Sequence, residues 1–165
     1  SRRRHTRYIS VTGVQTCALP ISTGTRTLSI DALYADAARD PRSEVTLAPG
    51  EFIEGILLGA ASAGGAQRFT KLMQRGAWDF ALVSLAAVKR ADGQVRLVLG
   101  GVAPAPLRVS HSVEEDVASG GLDADSADAL AERAMYDAAP LSGNGYKVQQ
   151  ATALLRRAML DLSAA

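Results

Sequence analysis

Cysteine is nearly absent from this 165-residue chain: Cys17 is the single thiol, and it lies among the first 22 residues. Beyond that point no thiol remains, which excludes a disulfide framework, a cysteine metal site and a redox cysteine. Aromatic residues are scarce, at 5%. No apolar run approaches the ~20 residues that a membrane helix needs. The longest, Phe80 to Val88, is interrupted by Ser84. Acidic residues are missing from the first 22 positions, which carry Arg2, Arg3, Arg4 and Arg7. Without that segment the formal charge turns from +1 to −3, with 14 basic and 17 acidic residues. Hydrophobic residues are plentiful at 47%, enough for one globular domain with a modest core.

The first 22 residues read as something other than native coding sequence. SRRRHTR at the start and VTGVQTCALPIS at residues 11–22 back-translate in frame to a common short-read sequencing adapter. Tyr8, Ile9 and Ser10 stand where the sample index would be. The competing readings are a basic nucleic-acid or targeting arm at Arg2–Arg7, and an apolar or reactive-cysteine loop around Cys17. As an adapter-derived artefact, residues 1–22 are expected to be disordered. The single domain then runs over residues 23–165, with its true N-terminus missing.

Hydrophobic periodicity divides the remainder into strands followed by helices. Leu28 to Ala38 reads as a short helix or connector, and Asp40-Pro41-Arg42-Ser43 as a turn. Val45–Leu47 and Phe52–Leu58 read as strands, the second ending in a small-residue loop up to Gly65. Phe80–Val88 is apolar on both alternations, which predicts a strand covered on both faces. Asp92-Gly93 is a hairpin turn leading to a return strand through Val95, Leu97 and Leu99, and Leu107–Val109 adds a short strand. From His111 the period lengthens to about 3.6. Ser112 is expected to cap a helix over Val113–Ala118, and Asp123 or Asp125 to cap the next. That second helix carries Leu130, Ala134, Met135 and Ala138 on one stripe. The last helix begins near Tyr146, with Val148, Ala151, Leu155, Met159 and Leu162 inward. The order predicts an α+β fold: a small antiparallel sheet followed by a C-terminal helical bundle packed on one face.

Catalytic constellations are missing. No glycine-rich phosphate loop has the required spacing, since Gly64-Gly65 and Gly100-Gly101 stand in the wrong context. His111, beside Ser110, lacks an orienting acid and reads as a surface residue ahead of a helix. Glu114, Glu115 and Asp116 read as a solvated helix start favoured by the helix dipole, without histidine or cysteine partners for a metal.

Four segments carry a family signature in order: SEVTLAPGEFIEGI (Ser43–Ile56), RFTKLMQRGAWDFALVSLAAV (Arg68–Val88), VRLVLGGVAPAPLR (Val95–Arg108) and PLSGNGYKVQQATALLRRAM (Pro140–Met159). Together they resemble the C-terminal domain of the FAD-binding medium subunit of molybdenum hydroxylases. That family includes xanthine dehydrogenase, carbon monoxide dehydrogenase and aldehyde oxidoreductase, and the NGYKV ending looks most like the last branch. The resemblance implies an oxidoreductase in which a molybdenum-cofactor large subunit hydroxylates substrate. A small [2Fe-2S] subunit then passes electrons to FAD and on to an external acceptor. It implies that the main FAD-binding subdomains lie upstream of this chain, that the fragment alone is inactive, and that nucleic acid is no partner. The location implied is cytoplasmic, or periplasmic where the intact complex is exported.

Two cofactor-binding positions carry over from the resemblance. Lys71 matches the lysine that approaches the flavin, and Ile53 an aliphatic position packed near it. The alternatives are a solvated lysine and plain core packing. Phe69 stands where many members have tyrosine. A further alternative for the whole domain is a subunit-docking module that touches no cofactor.

Overall fold

The computed structural model describes residues 24–34, 40, 42–59 and 64–164, and residues 14–20 as backbone. The Arg2–Arg7 cluster, Pro41 and residues 60–63 of the small-residue loop lie outside the described residues. The chain divides into two compact units, Ser1–Ala63 and Gly64–Ala165, where the sequence pattern predicts one domain over 23–165.

The first unit is a three-stranded antiparallel sheet in the order β2-β1-β3, built from β1 (Val14–Pro20), β2 (Arg26–Ser29) and β3 (Glu51–Leu58). Its central strand comes from the segment expected to be disordered: Thr16 sits opposite Leu28 on one side and Ile56 on the other. The physical reason is backbone pairing, which is indifferent to the origin of a sequence. β2 and β3 do not pair with each other, and an extended strand between them satisfies both of their inner edges. A register shift between Cys17 and Ala18 makes a bulge opposite the stretch from Gly55 to Ile53.

Helix α1 (Ile30–Leu33) follows β2 directly, capped by the Ser29 hydroxyl, which accepts from the Ala32 N–H at 3.1 Å. The strand expected at Val45–Leu47 does not form. Thr46 spends its backbone N–H on the Leu33 carbonyl and its hydroxyl on that of Ala32, closing the chain onto α1 instead of a ladder. Arg26 fixes the return. Its Nε and Nη2 donate to the two oxygens of Glu51 at 2.8 and 2.7 Å, and Nη2 also reaches the Thr46 carbonyl. The Arg26 guanidinium, helped by the Ala48 N–H, holds the Glu51 carboxyl below the usual carboxylate range.

The second unit holds a four-stranded antiparallel sheet, β4 (Ala66–Leu72), β5 (Val83–Lys89), β6 (Val95–Gly100) and β7 (Leu107–Arg108), paired in chain order. Val83, Leu85 and Ala87 alternate with Ser84, Ala86 and Val88. The first set is fully buried and the second half-buried. One face of β5 is therefore covered rather than both. The covered face meets α4 (Tyr146–Ser163), whose Ala151, Leu155, Ala158, Met159 and Leu162 are buried in the same core. Ser84 and Ala86 are small enough that the open face forgoes little apolar burial.

Helices α2 (His111–Ala118) and α3 (Ala124–Ala134) complete the layer with Val113, Val117, Leu130 and Ala131. Of the two caps the sequence offers, Asp123 and Asp125, it is Asp123 that caps α3, through a reciprocal box with Ser126. α2 begins one residue before the expected cap: Ser110 occupies that position, without a side-chain capping bond. Lys89 in β5 donates to the Leu162 carbonyl near the end of α4, satisfying a terminal acceptor of that helix.

The expected solvated run at Glu114–Asp116 is corrected most sharply at Glu114, which is 1% exposed. Its carboxylate accepts from the Leu97 N–H at 2.9 Å and from the Arg108 and Arg96 guanidinium groups. Burial of the charge is offset by three donors converging from two strands. His111 stays at the surface, 3.3 Å from Glu115 one turn along α2.

Candidate functional site

Polar residues hide β4 from a hydrophobicity reading. Gln67, Arg68, Thr70 and Lys71 are exposed, as suits an edge strand, where charge discourages further pairing. Lys71 faces the open side of the sheet, opposite Ser84, which in turn stands opposite Gly100. A Cβ at Gly100 would lie 2.5 Å from the Ser84 hydroxyl, so glycine is what lets that hydroxyl sit in the row. At the neighbouring Gly101, with φ of 76°, a Cβ would come within 3.0 Å of the Leu82 carbonyl. Gly100 thus makes room for a side-chain hydroxyl, and Gly101 for a close backbone carbonyl.

The loop after Lys71 is organised around Asp79. The Lys71 ammonium donates to the Asp79 carbonyl at 2.5 Å. The Asp79 carboxylate accepts from the Arg75 and Phe80 N–H groups, each at 3.0 Å, and pairs with the Arg75 guanidinium at 3.5 Å. Arg75 also donates to the Trp78 carbonyl at 3.1 Å, and the Leu82 N–H closes the loop on Leu72. The Arg75 backbone donor, then its side chain and the Phe80 N–H, hold the Asp79 carboxyl below its ordinary range. Here the sequence expectation fails: Phe80 is 92% exposed, not the first residue of a buried strand. Trp78 is 97% exposed and has φ of 52°, a left-handed conformation rare for a bulky side chain.

Ile53 belongs to the other unit. It lies opposite Ala18 at the bulge of β3 and is 44% exposed, beside an equally accessible Phe52. Core packing does not describe it. The family resemblance singles out Lys71 and Ile53 but not Arg75, Trp78 and Asp79, which organise the loop beside Lys71. The available signal was an Arg–Asp pair four residues apart across a glycine.

A separate open cavity of about 200 Å³ in the second unit is lined by Val102, Met135, Pro140, Asn144 and Lys147. The Lys147 ammonium is engaged on the Gly101 carbonyl, while Asn144 Oδ1 is buried without a partner. Among the described residues no three His, Cys, Asp or Glu side chains gather as metal ligands would. None of the described helices is long and apolar enough to cross a membrane.

These features define a class: an α+β module with helices on one face of a small sheet, and an exposed cation on the sheet's edge strand, beside a hydrogen-bonded loop. Residues 68–162, more than half the chain, match the CO dehydrogenase flavoprotein C-terminal domain, and the chain belongs to that family. It is 30% identical over 140 residues to the aldehyde oxidoreductase FAD-binding subunit PaoB of Escherichia coli K12. That match takes in 85% of this chain and 42% of the subunit. Two solved structures share the fold. Quinoline 2-oxidoreductase from Pseudomonas putida 86 aligns over 92% of this chain with a TM-score of 0.72 at 20% identity. Carbon monoxide dehydrogenase from Hydrogenophaga pseudoflava, in a form lacking the Mo-pyranopterin moiety, aligns over 92% with a TM-score of 0.70 at 22% identity. The chain spans 53% and 52% of those two chains, about half the length of its relatives.

Proposed function

We propose that this chain is the part of a molybdenum-hydroxylase flavin subunit that covers FAD, with Lys71 and Ile53 facing the cofactor. The family match at residues 68–162 carries the reading, and PaoB's description as an FAD-binding subunit supports it. The residues present fit such a group. Lys71 is exposed, and after one bond to Asp79 it has N–H donors to spare for a polar ring edge. Ile53 and Phe52 offer accessible apolar surface for a flat ring.

When bound, the flavin would supply the electron transfer, accepting electrons from iron–sulfur clusters and passing them to an external acceptor. This chain's own share is electrostatic. A fixed ammonium favours whatever negative charge develops near it, and so raises the potential of the group it faces. The Asp79 carbonyl holds Lys71 in place, so little reorganisation is needed. The partners in this reading are a molybdenum-cofactor large subunit and a [2Fe-2S] small subunit, in the cytoplasm or, for an exported complex, the periplasm. Residues 1–22 are adapter-derived in origin, and the FAD pyrophosphate loops belong to the upstream half of the intact subunit.

The test is Lys71→Ala in the complete subunit, followed by a spectroscopic redox titration beside a thermal melt, with exposed Arg157→Ala as a charge-matched control. The flavin potential should fall by the equivalent of ~1 kcal/mol, the size of a partly screened charge interaction. The melt should shift little. Equal potentials for wild type and both variants would make Lys71 a solvated lysine and refute its role.

A further inference from the structure

We propose that Trp78, with Phe80 beside it, forms an aromatic wall against the isoalloxazine ring, a contact that rests on the flavin reading above. The chain has one tryptophan and three phenylalanines, and it leaves Trp78 and Phe80 almost wholly in water. Large aromatic side chains gain most from burial, so exposing both on one loop leaves that gain to a bound partner. The backbone is committed to the display. Left-handed φ at a tryptophan is strained, and strain of this kind collects at ligand clamps. Arg75 on the Trp78 carbonyl and Asp79 on the flanking N–H groups hold the conformation.

Charge selects the occupant. Lys71 is bonded to the residue between the two aromatics, and Arg75 to the carbonyl of Trp78, so the wall is framed by two cations. A planar, electron-poor ring that gains negative charge on reduction and carries a pyrophosphate tail matches both halves of that surface. An electron-rich indole is its natural neighbour. A purely apolar protein surface would match the rings and leave the Lys71 ammonium without an opposite charge, since Asp79 already pairs with Arg75 and gives Lys71 only a carbonyl.

The experiment uses the complete FAD-loaded subunit with Trp78→Phe, Trp78→Tyr and Trp78→Ala. Indole and phenol quench flavin emission on contact, whereas phenylalanine does not. Flavin emission should therefore rise severalfold in Trp78→Phe, stay low in Trp78→Tyr, and rise in Trp78→Ala. Trp78→Ala should also bind FAD about tenfold more weakly, as loss of one stacking contact implies. Unchanged emission in Trp78→Phe, with Lys71→Ala still shifting the potential, would overturn the wall and leave the flavin reading standing. Unchanged flavin properties together with weakened association of the partner subunits would overturn it in favour of a protein-docking aromatic pair. If neither Trp78→Phe nor Lys71→Ala alters the flavin, both proposals fall.

Discussion

Arg108 of β7 grips both carboxylate oxygens of Glu114 in α2, with Nη2 2.6 Å from Oε2 and Nε 3.1 Å from each oxygen. The same carboxylate accepts the Leu97 N–H of β6, so one side chain ties a helix to two strands.

Glu114→Ala should destabilise the second unit by roughly 2–4 kcal/mol, because it strands the Leu97 donor and two guanidinium groups around a cavity. Arg108 is about one-third exposed, which keeps the loss below that of a wholly buried pair. Glu114→Gln retains an acceptor for Leu97 and should cost roughly half as much. Chemical denaturation of the two variants checks the order. Equal costs would mean that the charge pair, not the Leu97 bond, dominates.

Acid should release the loop that carries Trp78. The Asp79 carboxyl is held below its unfolded value, so its contribution is complete above about pH 4 and fades as pH falls through the depressed folded value. The lone tryptophan reports this directly. Its fluorescence anisotropy should stay level from pH 8 to about 5 and drop below about 4, whereas Asp79→Asn should show no such acid step. A transition near neutrality would point to another group.

Removing residues 1–22 should unpair the facing edges of β2 and β3. Hydrogen exchange should then quicken across Arg26–Ser29 and Glu51–Leu58, while Val83–Lys89 and Val95–Gly100 keep their protection. Thr16→Pro should do the same in the full chain, since proline removes a donor from a central strand. Unaltered exchange in both would mean that the first unit holds together without β1.

Periodicity reveals the second unit well where burial is one-sided. The alternation at Val95, Leu97 and Leu99 and the Asp92-Gly93 turn stand where the pattern places them, and the cap of α3 is one of its two candidates, Asp123. It fails where polar and apolar residues exchange their usual places. β4 is masked by Arg68, Thr70 and Lys71, Glu114 is buried because the part-exposed Arg96 and Arg108 and the Leu97 N–H meet its carboxylate, and Phe80 leaves the core for the loop. β1 escapes a reading that sets residues 1–22 aside as adapter-derived, although an extended backbone suffices to fill a gap between two strands. Lys71 and Ile53 are legible only through resemblance. The clamp that fixes Lys71 is made by carbonyl and N–H groups, which no residue pattern reports.

The position of α4 has a consequence for the nascent chain. The apolar face of β4–β6 is complete once Gly100 is made, yet the helix that covers it, Tyr146–Ser163, is the last of the described elements to leave the ribosome. At ~5–20 residues per second, Val83, Leu85, Leu97 and Leu99 wait several seconds with no lid. Chaperone engagement should therefore peak on ribosome-bound intermediates whose emerged portion ends between Gly100 and Tyr146, and vanish once α4 has emerged.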